Sequence, residues 1–218
     1  MRVLVTSGAS STAELIAKGL SGAHEVHSTE MPGKSAGTSI VGCELGHDEE
    51  TDRLCDGVET VVIVCEPGDL PETEVVDFHS RRLYNLLTAA ANQGVKHVVL
   101  ISSLRLFESV PDEYEIDEHW APSLTPEPDS LKYHVAEFVC REFERARTFP
   151  VTCLRLGEIV CEIPGENEVT EAAVVQTVLA AINKRPGLWS VFHVVSEGTR
   201  FITGRVEKAL EVTPRGDQ

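Results

Sequence analysis

The first twenty residues constrain the fold more than any other part of the chain. Residues 3–5 are continuously apolar, which is typical of a strand buried on both faces of a parallel sheet. Residues 6–10 are small, and Leu15, Ile16 and Leu20 then recur at helical spacing. A strand, a tight turn and a helix in this order predict the opening of a dinucleotide-binding βαβ unit, whose helix amino terminus faces a pyrophosphate.

The start of this helix has the spacing of a capping box, because Ser11 is followed by Glu14. In such a box the Ser11 side chain accepts a hydrogen bond from the amide of Glu14, and the Glu14 carboxylate accepts one from the amide of Ser11. The carboxylate would then fill the anion site of the helix and weaken dinucleotide binding. Two interpretations stay open: a self-capped helix without a cofactor, and a nucleotide site.

Composition narrows the range of partners and compartments. The 218 residues include 19 lysines and arginines and 35 aspartates and glutamates, giving a formal net charge of −16. We expect neither a nucleic-acid nor a membrane partner, because both would need a basic surface. No amino-terminal signal and no apolar run of membrane-spanning length are visible. The six cysteines have no ligand-like spacing, so we expect buried free thiols in a cytoplasmic protein and no metal site.

The rest of the chain alternates strands with helices. Strands are predicted at residues 24–29, 40–45, 58–65, 96–103, 149–156 and 188–195, and helices at 48–54, 74–92, 130–147, 169–183 and 201–210. This alternation without hairpin signals predicts an α/β fold with a doubly wound parallel sheet. We expect one domain, with its core in residues 1–156 and a reduced carboxy-terminal lobe in 157–218. The first strand should be the central one, between residues 60–65 and the strand that ends at Glu30.

Seven short motifs, in this order and spacing, resemble the extended short-chain dehydrogenase/reductase family, in its NAD-dependent epimerase/dehydratase branch. They are Val-Thr-Ser-Gly-Ala at 5–9, Glu-Leu at 44–45, Asn-Leu-Leu at 85–87, Val-Val-Leu-Ile-Ser-Ser at 98–103, Ala-Glu at 136–137, Val-Thr-Cys-Leu-Arg-Leu at 151–156 and Trp-Ser-Val-Phe-His at 189–193. The resemblance covers essentially the whole chain and implies an NAD(P)-binding Rossmann-like fold.

The resemblance also implies a cofactor site, although its glycine motif is degenerate. Ser7, Ser10 and Ala13 take the family's three glycine positions, and Gly8 is out of step. Serine and alanine neither adopt positive φ cheaply nor allow the same close approach to a phosphate. An acidic residue such as Glu30 favours NAD over NADP by accepting the ribose hydroxyls, although it also suits a surface loop. A site that holds no cofactor is the open alternative. The candidate cofactor-binding residues are Ser7, Gly8, Ser10, Ser11, Thr12, Glu30, Glu44, Leu45 and Cys65.

The family's chemistry uses a tyrosine as acid or base, a lysine four residues later and a serine that orients the substrate. If the Ala-Glu motifs are matched, Asp129 takes the tyrosine position and Tyr133 the lysine position. If Tyr133 is the tyrosine, Glu137 takes the lysine position, and a carboxylate there would raise the phenol pKa. Neither alignment keeps the Tyr-x-x-x-Lys dyad, and Lys132 is expected to point about 100° away around the helix. Ser103 and Tyr133 remain the candidate catalytic residues.

A missing dyad predicts a catalytically impaired epimerase/dehydratase-like protein with weak or no dinucleotide binding and a sensing or scaffolding role. The alternatives are an active NAD(P)-dependent epimerase or reductase of a sugar-like small molecule, and a purely structural dimer partner. The family implies a homodimer formed by helices 74–92 and 130–147, with Phe78, Tyr84 and Cys140 bordering the shared face.

Overall fold

The computed structural model describes residues 1–33, 40–66, 70–123 and 125–214. Its strands are β1 (Arg2–Val5), β2 (Glu25–Glu30), β3 (Ile40–Gly42), β4 (Thr60–Val64), β5 (His97–Ser103), β6 (Val151–Leu156), β7 (Glu158–Val160), β8 (Glu168–Thr170) and β9 (Trp189–Val194). Its α-helices are α1 (Ser11–Leu20), α2 (Glu49–Leu54), α3 (Glu72–Asp77), α4 (Leu83–Asn92), α5 (Pro128–Arg145), α6 (Glu171–Lys184) and α7 (Gly204–Leu210).

The main sheet is parallel and has the order β3-β2-β1-β4-β5-β6-β9 among the described residues. The predicted α/β fold is therefore confirmed, and β1 lies between β2 and β4 as expected. The middle strand of the seven is β4 rather than β1. Residues 157–218 contribute β9 to this sheet and also form a separate two-stranded sheet, β7–β8. Neither β7 nor β8 was predicted, and β8 overlaps the start of the helix predicted over residues 169–183.

Each face of the main sheet carries its own hydrophobic core because the strands are apolar on both sides. In β4, Val61 and Ile63 point into one core, and Val62 and Val64 point into the other. Helices α2, α4 and α5, with Phe78 between α3 and α4, cover the first core, and α1, α6 and α7 cover the second. This is the burial that an all-parallel sheet requires.

The helix predicted over residues 74–92 is interrupted in its middle by a π-helical turn, Phe78–Arg82. Asp77 accepts hydrogen bonds from Nε of Arg81 at 2.7 Å and from Nε of Arg82 at 2.8 Å. A π turn brings residues five apart onto one face, so a single carboxylate can hold both guanidinium groups. The turn aims Arg82 toward the loop that follows β3.

All six cysteines are free thiols; five are buried as expected, whereas Cys161 is exposed. The helices in the described part of the chain are all too short or too polar to cross a membrane.

Candidate functional site

A cleft of about 540 Å³ lies at the carboxyl edge of the main sheet, above the ends of β4, β5 and β6 and the start of α1. At β1 and β4 the strand order reverses direction, and ligands of open α/β sheets bind at such points. Of the candidate site residues, Ser11, Thr12, Cys65, Ser103 and Tyr133 line this cleft. The others support the turn before α1 or the loop after β3.

In the turn before α1, two residues take the structural roles of the missing glycines. Ser7 adopts φ of 55°, which is left-handed backbone, and its hydroxyl donates to the carbonyl of Val64 at 2.7 Å. The amide of Gly8 donates to the carbonyl of Thr29 at 2.9 Å, and a Cβ at Gly8 would lie 2.9 Å from the Cβ of Ser28. Ser7 therefore supplies the positive φ, and Gly8 allows the close approach to β2.

The capping-box prediction is wrong by one residue. The cap is Ser10, whose hydroxyl accepts a hydrogen bond from the amide of Ala13 at 3.1 Å. The side chain of Glu14 is exposed, because α1 begins at Ser11 and places Glu14 beyond the amides that need a cap. The first amides of a helix have no acceptor within it. Those of Ser11 and Thr12 consequently stay available to a ligand in the cleft.

Glu30 holds the turn against β2. Its buried carboxylate accepts hydrogen bonds from the amide of Ala9 at 3.2 Å and from the amide of Met31 at 2.8 Å. Glu30 is only 2% exposed, so it is a buried support rather than the surface residue of a loop.

Glu44 and Leu45 are fixed by the π turn and α4. Arg82 forms an ion pair with the Glu44 carboxylate, and its Nη1 also donates to the Glu44 carbonyl at 2.6 Å. Leu45 is buried with φ of 50°, and its carbonyl accepts from Nδ2 of Asn85 at 3.1 Å. Neither residue lines the 540 Å³ cleft.

Tyr133 is buried at the wall of the cleft. Burial raises its pKa well above the usual range, and the neighbouring Glu66 and Cys65 raise it further. The direction matches the sequence prediction, but the cause is burial rather than Glu137. Lys132 also lines the cleft, with Nζ 5.0 Å from the centre of the Tyr133 ring. The expectation that Lys132 points away is therefore wrong, because its long side chain reaches back to the tyrosine.

Cys65 and Ser103 complete the cleft wall. Ser103 Oγ accepts a hydrogen bond from the amide of Arg105 at 3.2 Å and thereby caps a short 3₁₀ turn, Leu104–Phe107. Among the described residues, no hydrogen bond joins Ser103 to Tyr133. Burial raises the pKa of the Cys65 thiol well above its usual range, so this thiol stays protonated at neutral pH.

Glu137 forms a buried ion pair that the sequence analysis did not find. Nε and Nη2 of Arg155 donate to its two carboxylate oxygens at 2.9 and 2.7 Å, and Ser102 Oγ donates at 2.7 Å. Burial alone would raise the pKa of Glu137, but the bonds from Arg155 and Ser102 outweigh it and leave the pKa lowered. The sequence did contain a signal for this pair. Arg155 lies inside an apolar strand and Glu137 lies on the buried face of α5, and buried charges are normally paired.

No family model matches the chain, and no curated protein matches its sequence. Solved structures match over nearly its whole length. A mutated uronate dehydrogenase has a TM-score of 0.80 at 21% identity, covering 98% of this chain and 81% of its own. MoeE5 in complex with UDP-glucuronic acid and NAD has a TM-score of 0.81 at 15% identity, covering 100% and 95%.

The chain has a Rossmann-like fold. A further Rossmann-like neighbour, with bound NAD, is a short-chain dehydrogenase/reductase superfamily protein from Agrobacterium tumefaciens; it has a TM-score of 0.78 at 14% identity and covers 97% and 92%. The neighbours of this Rossmann-like chain thus include dehydrogenases and proteins solved with NAD.

Proposed function

We propose that the protein binds a nucleotide-type ligand in the cleft but does not carry out tyrosine–lysine redox chemistry, and that it acts as a sensor or scaffold. The main support for the absence of this chemistry is the position of Glu137. It stands one helical turn after Tyr133, where the dyad lysine would be needed, and it is committed to Arg155 and Ser102. A carboxylate neutralised by an arginine cannot lower the pKa of the phenol.

Nucleotide binding is supported by the start of α1. Ser11 and Thr12 line the cleft at the positive end of the helix, where free amides suit an anion, and the Glu14 carboxylate does not compete for them. The serines at positions 7 and 10 still hold a phosphate farther from the backbone than glycines would. We therefore expect NAD to bind with a dissociation constant on the order of 100 μM or weaker.

Isothermal titration with NAD, NADH, NADP and NADPH tests the proposal. Ser11→Glu places a carboxylate beside the free amides and should abolish binding while leaving the melting temperature unchanged or raised. Ser21→Glu adds the same charge at the other end of α1 and should leave binding intact. If none of the four dinucleotides binds the wild type, the cleft is not a dinucleotide site.

A second candidate is an active NAD(P)-dependent epimerase or reductase of a sugar-like substrate, favoured by Lys132 beside Tyr133 in the cleft. Turnover of uronic acids or UDP-sugars with NAD or NADP distinguishes the two functions. Activity that disappears in both Tyr133→Phe and Lys132→Ala would establish the enzyme and overturn the non-catalytic proposal.

We also propose a homodimer formed through α4 and α5. Phe78 and Cys140 are buried in the protein's own core, 5% and 0% exposed, so the expectation that they border a shared face is wrong. Tyr84 and Phe138 are exposed by 55% and 59% and are the apolar side chains available to a partner. Light scattering at tens of micromolar should give the mass of two chains, and Tyr84→Lys with Phe138→Lys should give that of one. A wild-type mass of one chain would overturn the dimer.

A further inference from the structure

The 540 Å³ cleft lies on only one side of the point where the strand order reverses. Its lining comes mainly from the start of α1, from α5 and from the ends of β4, β5 and β6. No described residue between Thr12 and Val64 lines it. The opposite side, here called the β2–β3 side, consists of the ends of β2 and β3 with Met31 and Glu44 after them. A dinucleotide binds across the whole crevice, so it would need both sides.

On the β2–β3 side, the acidic residue that would hold a ribose is already in use. Oε2 of Glu30 accepts a hydrogen bond from the amide of Ala9 at 3.2 Å, and Oε1 accepts one from the amide of Met31 at 2.8 Å. With Glu30 only 2% exposed, a ribose hydroxyl would have to displace one of these amides. The displaced amide would lose its acceptor, which is costly for a buried group.

Arg82, in the π turn, bridges the chain segments that follow β2 and β3. Its Nη1 lies 3.7 Å from Sδ of Met31 and donates to the carbonyl of Glu44 at 2.6 Å. The same guanidinium forms ion pairs with the carboxylates of Glu44 and Asp77. Charge-assisted bonds of this kind are the strong ones. The β2–β3 side is therefore closed by the protein's own side chains.

Two hydroxyls on the open side point to a ligand. Thr12 and Tyr133 line the cleft and are 6% and 7% exposed, and neither hydroxyl has a hydrogen-bond partner among the described residues. Neither is among the fully occluded unpaired atoms, so both keep surface toward the cleft. Thr12 stands in the first turn of α1, where an anion is favoured. The lining is mixed in charge, with Arg105, Lys132 and Arg200 against Glu66, Glu108 and Glu158.

We propose that the cleft takes a single nucleotide, a nucleoside 5′-monophosphate, rather than a dinucleotide spanning both sides. The phosphate lies at the start of α1, beside Thr12, and the nucleoside extends over the ends of β5 and β6 toward Tyr133. This inference rests on the proposed nucleotide binding and narrows it to one ligand class. NAD then binds through one of its two nucleotides, and the other makes no contact that stabilises the complex.

Isothermal titration of the full chain compares NAD with three monophosphates that differ in base: nicotinamide mononucleotide, AMP and UMP. At least one of them should bind as tightly as NAD to within about threefold, or more tightly, because the second nucleotide of NAD contributes nothing. The nucleoside of the tightest monophosphate lacks the charged group and should bind at least about tenfold more weakly.

The position of the phosphate is tested with two variants. Ser11→Glu places a carboxylate at the start of α1 and should abolish binding of the monophosphate, whereas Ser21→Glu, at the other end of the helix, should leave it unchanged. Binding that survives Ser11→Glu, or a nucleoside that binds as tightly as its monophosphate, would overturn the inference.

The titrations also separate this inference from the proposed function on which it rests. NAD binding more than about threefold tighter than all three monophosphates would overturn the single-nucleotide site and leave nucleotide binding intact. If neither NAD nor any monophosphate binds, both are overturned.

Discussion

Ser7 shows how a single residue can replace a glycine at the price of local strain. Its φ of 55° belongs to the left-handed region, which costs an L-residue roughly 1–2 kcal/mol. The hydrogen bond from its hydroxyl to Val64 holds the backbone there. The sequence located this turn, but it could not show the conformation, because the partner carbonyl lies 57 residues away along the chain.

At position 7 we expect glycine to give a more stable protein than alanine, which is the reverse of the usual order. Both variants lose the hydrogen bond to Val64, but only glycine relieves the strained φ. We expect Ser7→Gly to be about 0.5–1 kcal/mol more stable than Ser7→Ala in urea unfolding. Equal stabilities, or a more stable alanine variant, would show that the turn relaxes instead.

The Glu137–Arg155 pair gives the second prediction at this scale. Glu137→Leu leaves a buried guanidinium without its partner and should cost about 3–5 kcal/mol of unfolding free energy. Glu137→Leu combined with Arg155→Met should lose less, because neither charge remains. A Glu137→Leu protein as stable as the wild type would contradict the buried pair.

The difference in stability between the wild type and Glu137→Leu should also depend on pH. The pKa of Glu137 is lowered from the ordinary value of 4.5, so the folded state favours its ionised form. The stabilisation is complete above about pH 4.5 and is lost as the pH falls through the lowered value of the folded state. The wild type and Glu137→Leu should therefore converge in acid.

The beginning of α1 illustrates what sequence can and cannot fix at the scale of an element. Strand, turn and helix were predicted in the right places, but two adjacent serines both fit the cap. The choice of Ser10 depends on where the turn is anchored, through Ser7 and Glu30, and these contacts are tertiary. The π turn between α3 and α4 was missed because the apolar residues on either side of Phe78–Arg82 keep the spacing of a continuous helix: Val76 and Leu83 are seven residues apart.

The cap has a direct test. Ser10→Ala should destabilise the protein by about 1 kcal/mol, because the amide of Ala13 loses its acceptor. Ser11→Ala should change stability by less than about 0.3 kcal/mol, since the Ser11 side chain is exposed and caps nothing. Thermal unfolding of the two variants separates them, and the reverse order would restore the capping box.

For the whole molecule, continuous apolar strands were enough to predict the parallel sheet and the neighbours of β1. The buried pair of Glu137 and Arg155 was beyond such reasoning, because α5 and β6 approach one another only in the folded chain. The 540 Å³ cleft was predicted in part, since the carboxyl ends of parallel strands share an edge.

Three buried histidines should make the folded state sensitive to mild acid. Burial lowers the pKa of His79 and His97 to about 4 and that of His193 to about 3, from 6.5. Below pH 6.5 the unfolded chain binds protons that the folded chain does not. The free energy of unfolding therefore decreases as the pH is lowered, until the pH reaches the lowered pKa values of the folded state. Each histidine contributes up to about 1.4 kcal/mol per pH unit.

Urea unfolding between pH 7.5 and 5 measures this slope. His193→Phe, a ring of similar size beside Phe107 and Phe201, should reduce the slope by about one histidine's share. A stability that stays constant over this range would mean that these histidines titrate alike in the folded and unfolded states.

The division of the interior into two cores by the main sheet has a consequence for how such a chain can evolve. Side chains that alternate along β4 belong to different cores, so a change of volume on one face is absorbed by neighbours on that face alone. The helices α1, α6 and α7 can drift in sequence without compensation from α2 to α5. The two faces of the protein are thus free to diverge at different rates while the strand order between them is preserved.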